Sequence, residues 1–374
     1  MGKQVKTPRF YVDMPTFLHA TGQLGWDEHP KGGADLLYMN ASNPIDTPYT
    51  SGTFFGIGHP QDNPPKTSFP INFCVLLNHN FASDTNRVEV VGKKGLETED
   101  GIRPRLHTSE FGYSNVLNTF ASDDNISPSF NGTSIFTFTE QDEYWRSFEI
   151  YYGDGWDNDN HQLGSMVIGK YWDAPNSPDL NLTMSRRFDG IKRQKTIGGK
   201  TLANIYYDGP TEWTMNGLNG TYKYPPFELD LATVGDGTDG DFNHIAKSGL
   251  GRKGLRSWKL KFSYISEDDM WMAYESSSNS PFTDGGQNAE TGGTPPTDDS
   301  VSVDTYANPM LSDDSFNFVW NCTLGGTLPF IFQPDKTNNN PDQFSICTFR
   351  GNSLSVKQVA HNTYSLSVTI DEVA

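Results

Sequence analysis

Residues 256–265, RSWKLKFSYI, and residues 363–373, TYSLSVTIDEV, carry the clearest periodicity in the chain. In the first, Trp258, Leu260, Phe262 and Tyr264 alternate with Lys259, Lys261 and Ser263. In the second, Tyr364, Leu366, Val368 and Ile370 alternate with Ser365, Ser367, Thr369 and Asp371. A period of two puts one set on a core and the other in water, so both stretches read as half-buried antiparallel strands, with Tyr264 and Tyr364 on the inward side. Between them, SEDDMWMAYESS (266–277) offers Ser266 as a helix N-cap with Glu267, Asp268 and Asp269 in the first turn, the signature of a short helix.

The same reading extends towards the N-terminus. FYVDM (10–14), INFCVLL (71–77), NRVEVVG (86–92), TSIFTFT (133–139), YWRSFEIYY (144–152) and GSMVIGKYW (164–172) are β-branched or aromatic and bounded by Gly, Pro, Asn or Asp. Strands recurring between such turns, with no amphipathic helix of real length, predict an all-β protein. The length of 374 residues exceeds the usual single domain. The expected architecture is an N-terminal jelly roll or β-sandwich at 1–190 and a C-terminal antiparallel β domain at 191–374, with few short helices. At the junction, IKRQKTIGGKTLANIYYDGP concentrates Lys192, Arg193, Lys195 and Lys200 and is expected to contain strand pieces of its own. Residues 276–304 hold almost no large apolar side chains and read as a flexible acidic and polar insertion.

Composition narrows the function. Aromatics reach 13%, with 36 Gly and 23 Pro, the balance of a turn-rich β protein. Twenty-eight basic against 46 acidic residues give a net charge of −18, which argues against a grip on nucleic-acid phosphates. Cys74, Cys322 and Cys347 lie in apolar runs without CxxC spacing, so they read as small buried hydrophobes. MGKQVKTPRFYVDMP lacks the apolar stretch of a secretory signal, and no run approaches the ~18 apolar residues of a membrane span.

Motifs for chemistry are sparse. GDGWDNDN (153–160) sets Asp154, Asp157 and Asp159 in one turn, and GDGTDGDFN (235–243) repeats that spacing with Asp236, Asp239 and Asp241. Oxygen-rich, glycine-containing loops suit calcium, and the first is a candidate calcium loop; solvated turns of an acidic protein have the same composition. The eight histidines form no HxH or HExxH pattern, and neither a GxSxG elbow nor a GxxxxGK[ST] loop occurs. Trp156, Tyr171 and Trp172, near Trp145, are candidates to stack on sugar rings, although such aromatics are more often core or interface. His79, in Asn78-His79-Asn80 directly after INFCVLL, is expected at a strand exit with its side chain bonded to backbone. The chain is therefore expected to be non-enzymatic and to hold no cofactor apart from that candidate calcium.

Several segments in order resemble a group of minor tail or baseplate proteins of tailed bacteriophages. They are INFCVLLNHNF, then YWRSFEIYY with LGSMVIGKYWDAP, SRRFDGIKRQKTIGGKTLANIYYDGP, GRKGLRSWKLKFSYISEDDM, GGTLPFIFQPD, CTFRGNSLSV and YSLSVTIDEV. In that group a galactose-binding-like (discoidin-type) jelly roll precedes a β domain related to distal tail proteins. The resemblance implies a virion structural protein, assembled in the host cytoplasm, that forms a homo-oligomeric ring and is an attachment platform for neighbouring tail or fibre proteins. Recognition of host surface glycans through the jelly-roll loops is the alternative reading. Neither implies a specific nucleic-acid partner or membrane insertion.

Overall fold

The computed structural model describes residues 5–22, 33–39, 45–47, 55–57, 71–77, 88–93, 114–117, 120–122, 125–127, 133–137, 147–152, 161–187, 191–205, 255–272, 314–339 and 343–373. The first half contributes β1 (Arg9–Asp13), β2 (Ile45–Thr47), β3 (Phe55–Ile57), β4 (Phe73–Leu77), β5 (Val88–Lys93), β6 (Ser114–Leu117), β7 (Phe120–Ser122), β8 (Asn125–Ser127), β9 (Thr133–Thr137) and β10 (Ser147–Tyr152). Then follow β11 (His161–Leu163), β12 (Ser165–Asp173), β13 (Thr183–Arg187), β14 (Ile191–Lys195), β15 (Thr201–Ile205), β16 (Leu255–Ser266), β17 (Phe330–Gln333), β18 (Ser345–Phe349), β19 (Ser355–Ala360) and β20 (Thr363–Glu372). Three short helices, α1 (Met14–Ala20), α2 (Glu267–Met270) and α3 (Phe316–Cys322), complete the described secondary structure with a 3₁₀ turn at Gly33–Leu36. The protein is all-β, and every strand pairing among the described residues is antiparallel.

Eleven strands form one sheet in the order β13-β16-β20-β18-β17-β1-β12-β4-β9-β6, with β19 also paired to β20. The N-terminal strand β1 sits near the middle. Arg9–Asp13 pairs with Asp173–Gly169 on one side, and Arg9–Val12 pairs with Gln333–Phe330 on the other. Strands from both sides of residue 190 thus share one ladder. A smaller five-stranded sheet runs β3-β10-β5-β8-β7, and β2–β11 and β14–β15 are two-stranded.

Alternation of side chains explains the core. In β4, Cys74 and Leu76 enter one apolar cluster while Phe73, Val75 and Leu77 enter another. β1, β12 and β17 divide in the same way: Phe10, Met166, Ile168 and Phe330 fall on the first face, and Tyr11, Val167 and Ile331 on the second. Successive strand residues point to opposite faces, so these central strands are buried on both. The three helices cover the first face with Phe17, Leu18, Met270, Phe316, Phe318 and Val319. Phe10 is its focus, with ring centroids of Trp172, Phe316, Phe330, Phe332 and Phe349 between 5.1 and 6.1 Å away. Gly169 lies opposite Asp13 in the ladder, where a Cβ would collide with the Val12 carbonyl and Met14 Cγ.

The helices begin where local chemistry satisfies free amides. Ser266 caps α2, its hydroxyl accepting from the Asp269 amide, as the sequence predicts. Asp13 caps α1 and Ser315 caps α3 in the same manner. The periodic strands also form as expected, with one correction. A β-bulge between Phe262 and Ile265 shifts the register of β16, so Tyr264 is 76% exposed and Ile265 takes its inward place. All three cysteines are buried and none forms a disulfide with another, and burial raises the thiols of Cys74 and Cys347 well above their ordinary values. Buried thiols held protonated are poor nucleophiles.

Candidate functional surfaces

The aromatic pair Tyr171–Trp172 occupies β12, where adjacent residues face opposite sides of the sheet. Trp172 is 3% exposed and packs on Phe10 and Phe316 at 5.6 and 5.3 Å between centroids. It is core, and it offers no ring face to a sugar, which corrects the glycan-site expectation at this position. Tyr171 is half-buried, and the Arg9 guanidinium lies 3.7 Å from its ring centroid, covering one face by a cation–π contact. Arg9 also donates two hydrogen bonds to the Asp173 carboxylate, from Nε at 2.6 Å and Nη2 at 2.9 Å. Lys336 adds a third at 3.2 Å. Burial alone would raise the Asp173 pKa, but these donors hold the carboxylate below its ordinary value. Lys6 pairs with Asp335 at 3.1 Å, and the Lys336 amide donates to the Thr7 carbonyl, so the cluster clips the N-terminal segment to the turn after β17. Its donors are committed to internal partners.

Asp154, Trp156, Asp157 and Asp159 lie outside the described residues, as do Trp145, Asp236, Asp239, Asp241, His79 and the insertion at 276–304. Among the described residues, no group of three or more His, Cys, Asp or Glu side chains could hold a metal ion. No described helix is long and apolar enough to cross a membrane.

Buried ionisable residues at three places in the large sheet escape motif reasoning. Lys170 is 1% exposed, and its ammonium reaches Asp314 at 2.7 Å, just before the α3 cap. Arg256 and Glu372 form a buried bidentate pair, with Nε–Oε2 at 3.0 Å and Nη2–Oε1 at 2.9 Å. Arg256 Nη2 also donates to the Phe344 carbonyl at 2.8 Å and to the Ser345 hydroxyl, tying β16, β18 and β20 together. Asp13 is buried, and burial pushes its carboxyl up to about 7, although the Thr16 amide and hydroxyl both donate to it. No spacing rule marks these residues; each is revealed only by what the folded chain packs around it.

The other end of the sheet has the opposite character. β13 is a terminal strand paired only with β16 among the described residues, and all five of its side chains are exposed, Met184, Arg186 and Arg187 among them. After three intervening residues the chain enters the β14–β15 ribbon, with five paired positions from Ile191↔Ile205 to Lys195↔Thr201. Its tip is the IGGK stretch. The Gly199 amide donates to the Thr196 carbonyl, the Lys200 amide to the Thr196 hydroxyl, and Gly199 has φ +77°, a conformation that favours glycine at a hairpin turn. Every side chain from Lys192 to Ala203 is exposed.

No family model, curated protein or solved structure matches the chain. Its surfaces divide by their own chemistry into a clipped, internally satisfied centre and an exposed outer end whose cations form no ion pair at Lys192, Arg193, Lys195 or Lys200 among the described residues.

Proposed function

We propose that the chain is a non-enzymatic structural subunit of a bacteriophage tail tip or baseplate, a homo-oligomer that provides an attachment platform for neighbouring tail or fibre proteins. In this reading function resides in interfaces. The observation that carries it is a coincidence of two kinds. The segment SRRFDGIKRQKTIGGKTLANIYYDGP, part of the ordered resemblance to tail proteins, supplies β13 from Ser185 onward and the whole β14–β15 ribbon, the most exposed paired elements described. An edge strand with an open side is a ready template for another chain unless something blunts it. The jelly-roll character of residues 1–190 belongs to the same proposal.

The alternative, recognition of host glycans, loses Trp172 to the core and keeps one ring face of Tyr171 beneath Arg9. The structural reading is tested by mass spectrometry of purified tailed particles encoding this chain, together with cryo-EM of the particles. Recovery of the chain as symmetric copies in the tail supports it. A chain absent from particles, and monomeric when concentrated, overturns it.

A further inference from the structure

The distribution of charge in this molecule is more informative than its sum. Residues 183–205 hold six cations, Arg186, Arg187, Lys192, Arg193, Lys195 and Lys200, against the single acid Asp189. That stretch carries +5, and the rest of the chain therefore carries −23. Solubility does not require such segregation, since the same net charge spread evenly over the surface would serve it. A local patch of opposite sign in a strongly acidic protein is suited to binding an acidic surface.

The geometry adds a second reason. An isolated two-stranded ribbon is marginal in water and needs a third strand or a packing surface to be stable. Among the described residues β14–β15 pairs with no other strand, and the side chains from Lys192 to Ala203 are all exposed, with Ile197 at the tip fully exposed and Leu202 at 50%. Arg193 and Lys195 stand on one face of the ribbon, opposite the small partners Ala203 and Thr201, and Lys192 stands on the other face. Their heads extend beyond their neighbours, and the apolar tip offers area to bury once the charges engage.

We propose that the β14–β15 hairpin is an assembly arm that lays its cationic ribbon and apolar tip on the acidic surface of a second copy of this chain. The inference rests on the homo-oligomeric reading above. A second copy is the occupant that the charge pattern favours, because each subunit brings both a hairpin of charge +4 and a remainder of −22. A nucleic acid or an anionic glycan could engage the arm of one subunit alone, whereas in a symmetric pair of copies two arms meet two acidic surfaces.

The test uses the full chain and the triple variant Lys192→Gln, Arg193→Gln, Lys195→Gln, by sedimentation velocity at about 0.01 M and about 1 M ionic strength, where the screening length falls from about 30 Å to about 3 Å. The wild type is expected to associate at low ionic strength and to dissociate at high. The variant is expected to associate about tenfold or more weakly at low ionic strength. The replaced side chains are exposed, so its melting temperature as a monomer should match that of the wild type. A variant that assembles with wild-type affinity and salt dependence overturns the arm while leaving the oligomer standing. A wild type monomeric throughout overturns both. Retardation of a monomeric wild type by heparin or duplex DNA would assign the arm to a polyanion and overturn the second copy as partner.

Discussion

In β4, near the middle of the large sheet, all five residues are buried; in β13, at its end, all five are exposed. Between these extremes β16 and β20 alternate, with Trp258, Leu260, Phe262, Leu366, Val368 and Ile370 inside and Lys259, Lys261 and Ser367 outside. One ladder thus passes from a zone buried on both faces, through a zone buried on one, to an open edge. The gradient separates labour. The centre supplies stability through burial, and the outer end presents exposed side chains and, at β13, a strand edge to which no second described strand is paired.

The largest predicted effect probes the centre. Phe10→Ala removes the ring on which five aromatic contacts converge and should destabilise the fold by about 3–5 kcal/mol, measured by urea denaturation. A loss below about 1 kcal/mol would mean that β1 does not knit the sheet. The buried pair comes next. Glu372→Ala leaves Arg256 charged and without its carboxylate partner in a dry site, at a cost of about 3 kcal/mol or more. If Glu372→Ala melted like the wild type, the outer strands would not depend on that clamp.

A smaller effect is readable through pH. The Asp13 carboxyl is raised from 3.8 to about 7 by burial, so between those values the folded chain holds a proton that the unfolded chain has released. Stability contributed by this group is therefore full below pH 4 and falls as pH rises through 7. Asp13→Asn keeps an oxygen for the Thr16 amide and removes the titration. Its melting temperature should gain on the wild type between pH 4 and 7 and keep a constant lead above that window, and parallel curves would refute the assignment. The smallest effect belongs to the outer zone: Tyr264→Ser, at the bulge and 76% exposed, should change stability by less than about 0.5 kcal/mol. A loss above about 1 kcal/mol would place Tyr264 back in the core.

The same gradient explains what the sequence discloses. β16 and β20 announce themselves by alternation because only one of their faces is dry, and Ser266 with Glu267 and Asp268 marks a helix because capping is local. INFCVLL is legible as a strand only through its length and composition, since burial on both faces erases the period. The bulge at Phe262–Ile265 is invisible in a sequence that alternates without interruption through Tyr264. α3 is hidden by the β-favouring residues of FNFVWNC, which tertiary burial of Phe316, Phe318 and Val319 overrides. The central place of β1, from the first residues of the chain, comes from pairings more than 300 residues apart. At the surfaces, the basic stretch at 192–200 is plain in the sequence, whereas the covering of Tyr171 by Arg9 and the burial of Trp172 follow from the β1–β12 register.

Amide hydrogen exchange across the assembly equilibrium tests the division of labour most directly. Amides of β1, β4, β12 and β17 should exchange slowly in both the dissociated chain and the assembled form, while those of β14 and β15 should exchange rapidly when dissociated and become protected on assembly. Unchanged, rapid exchange in β14 and β15 after assembly, with protection arising at the central strands instead, would contradict the account.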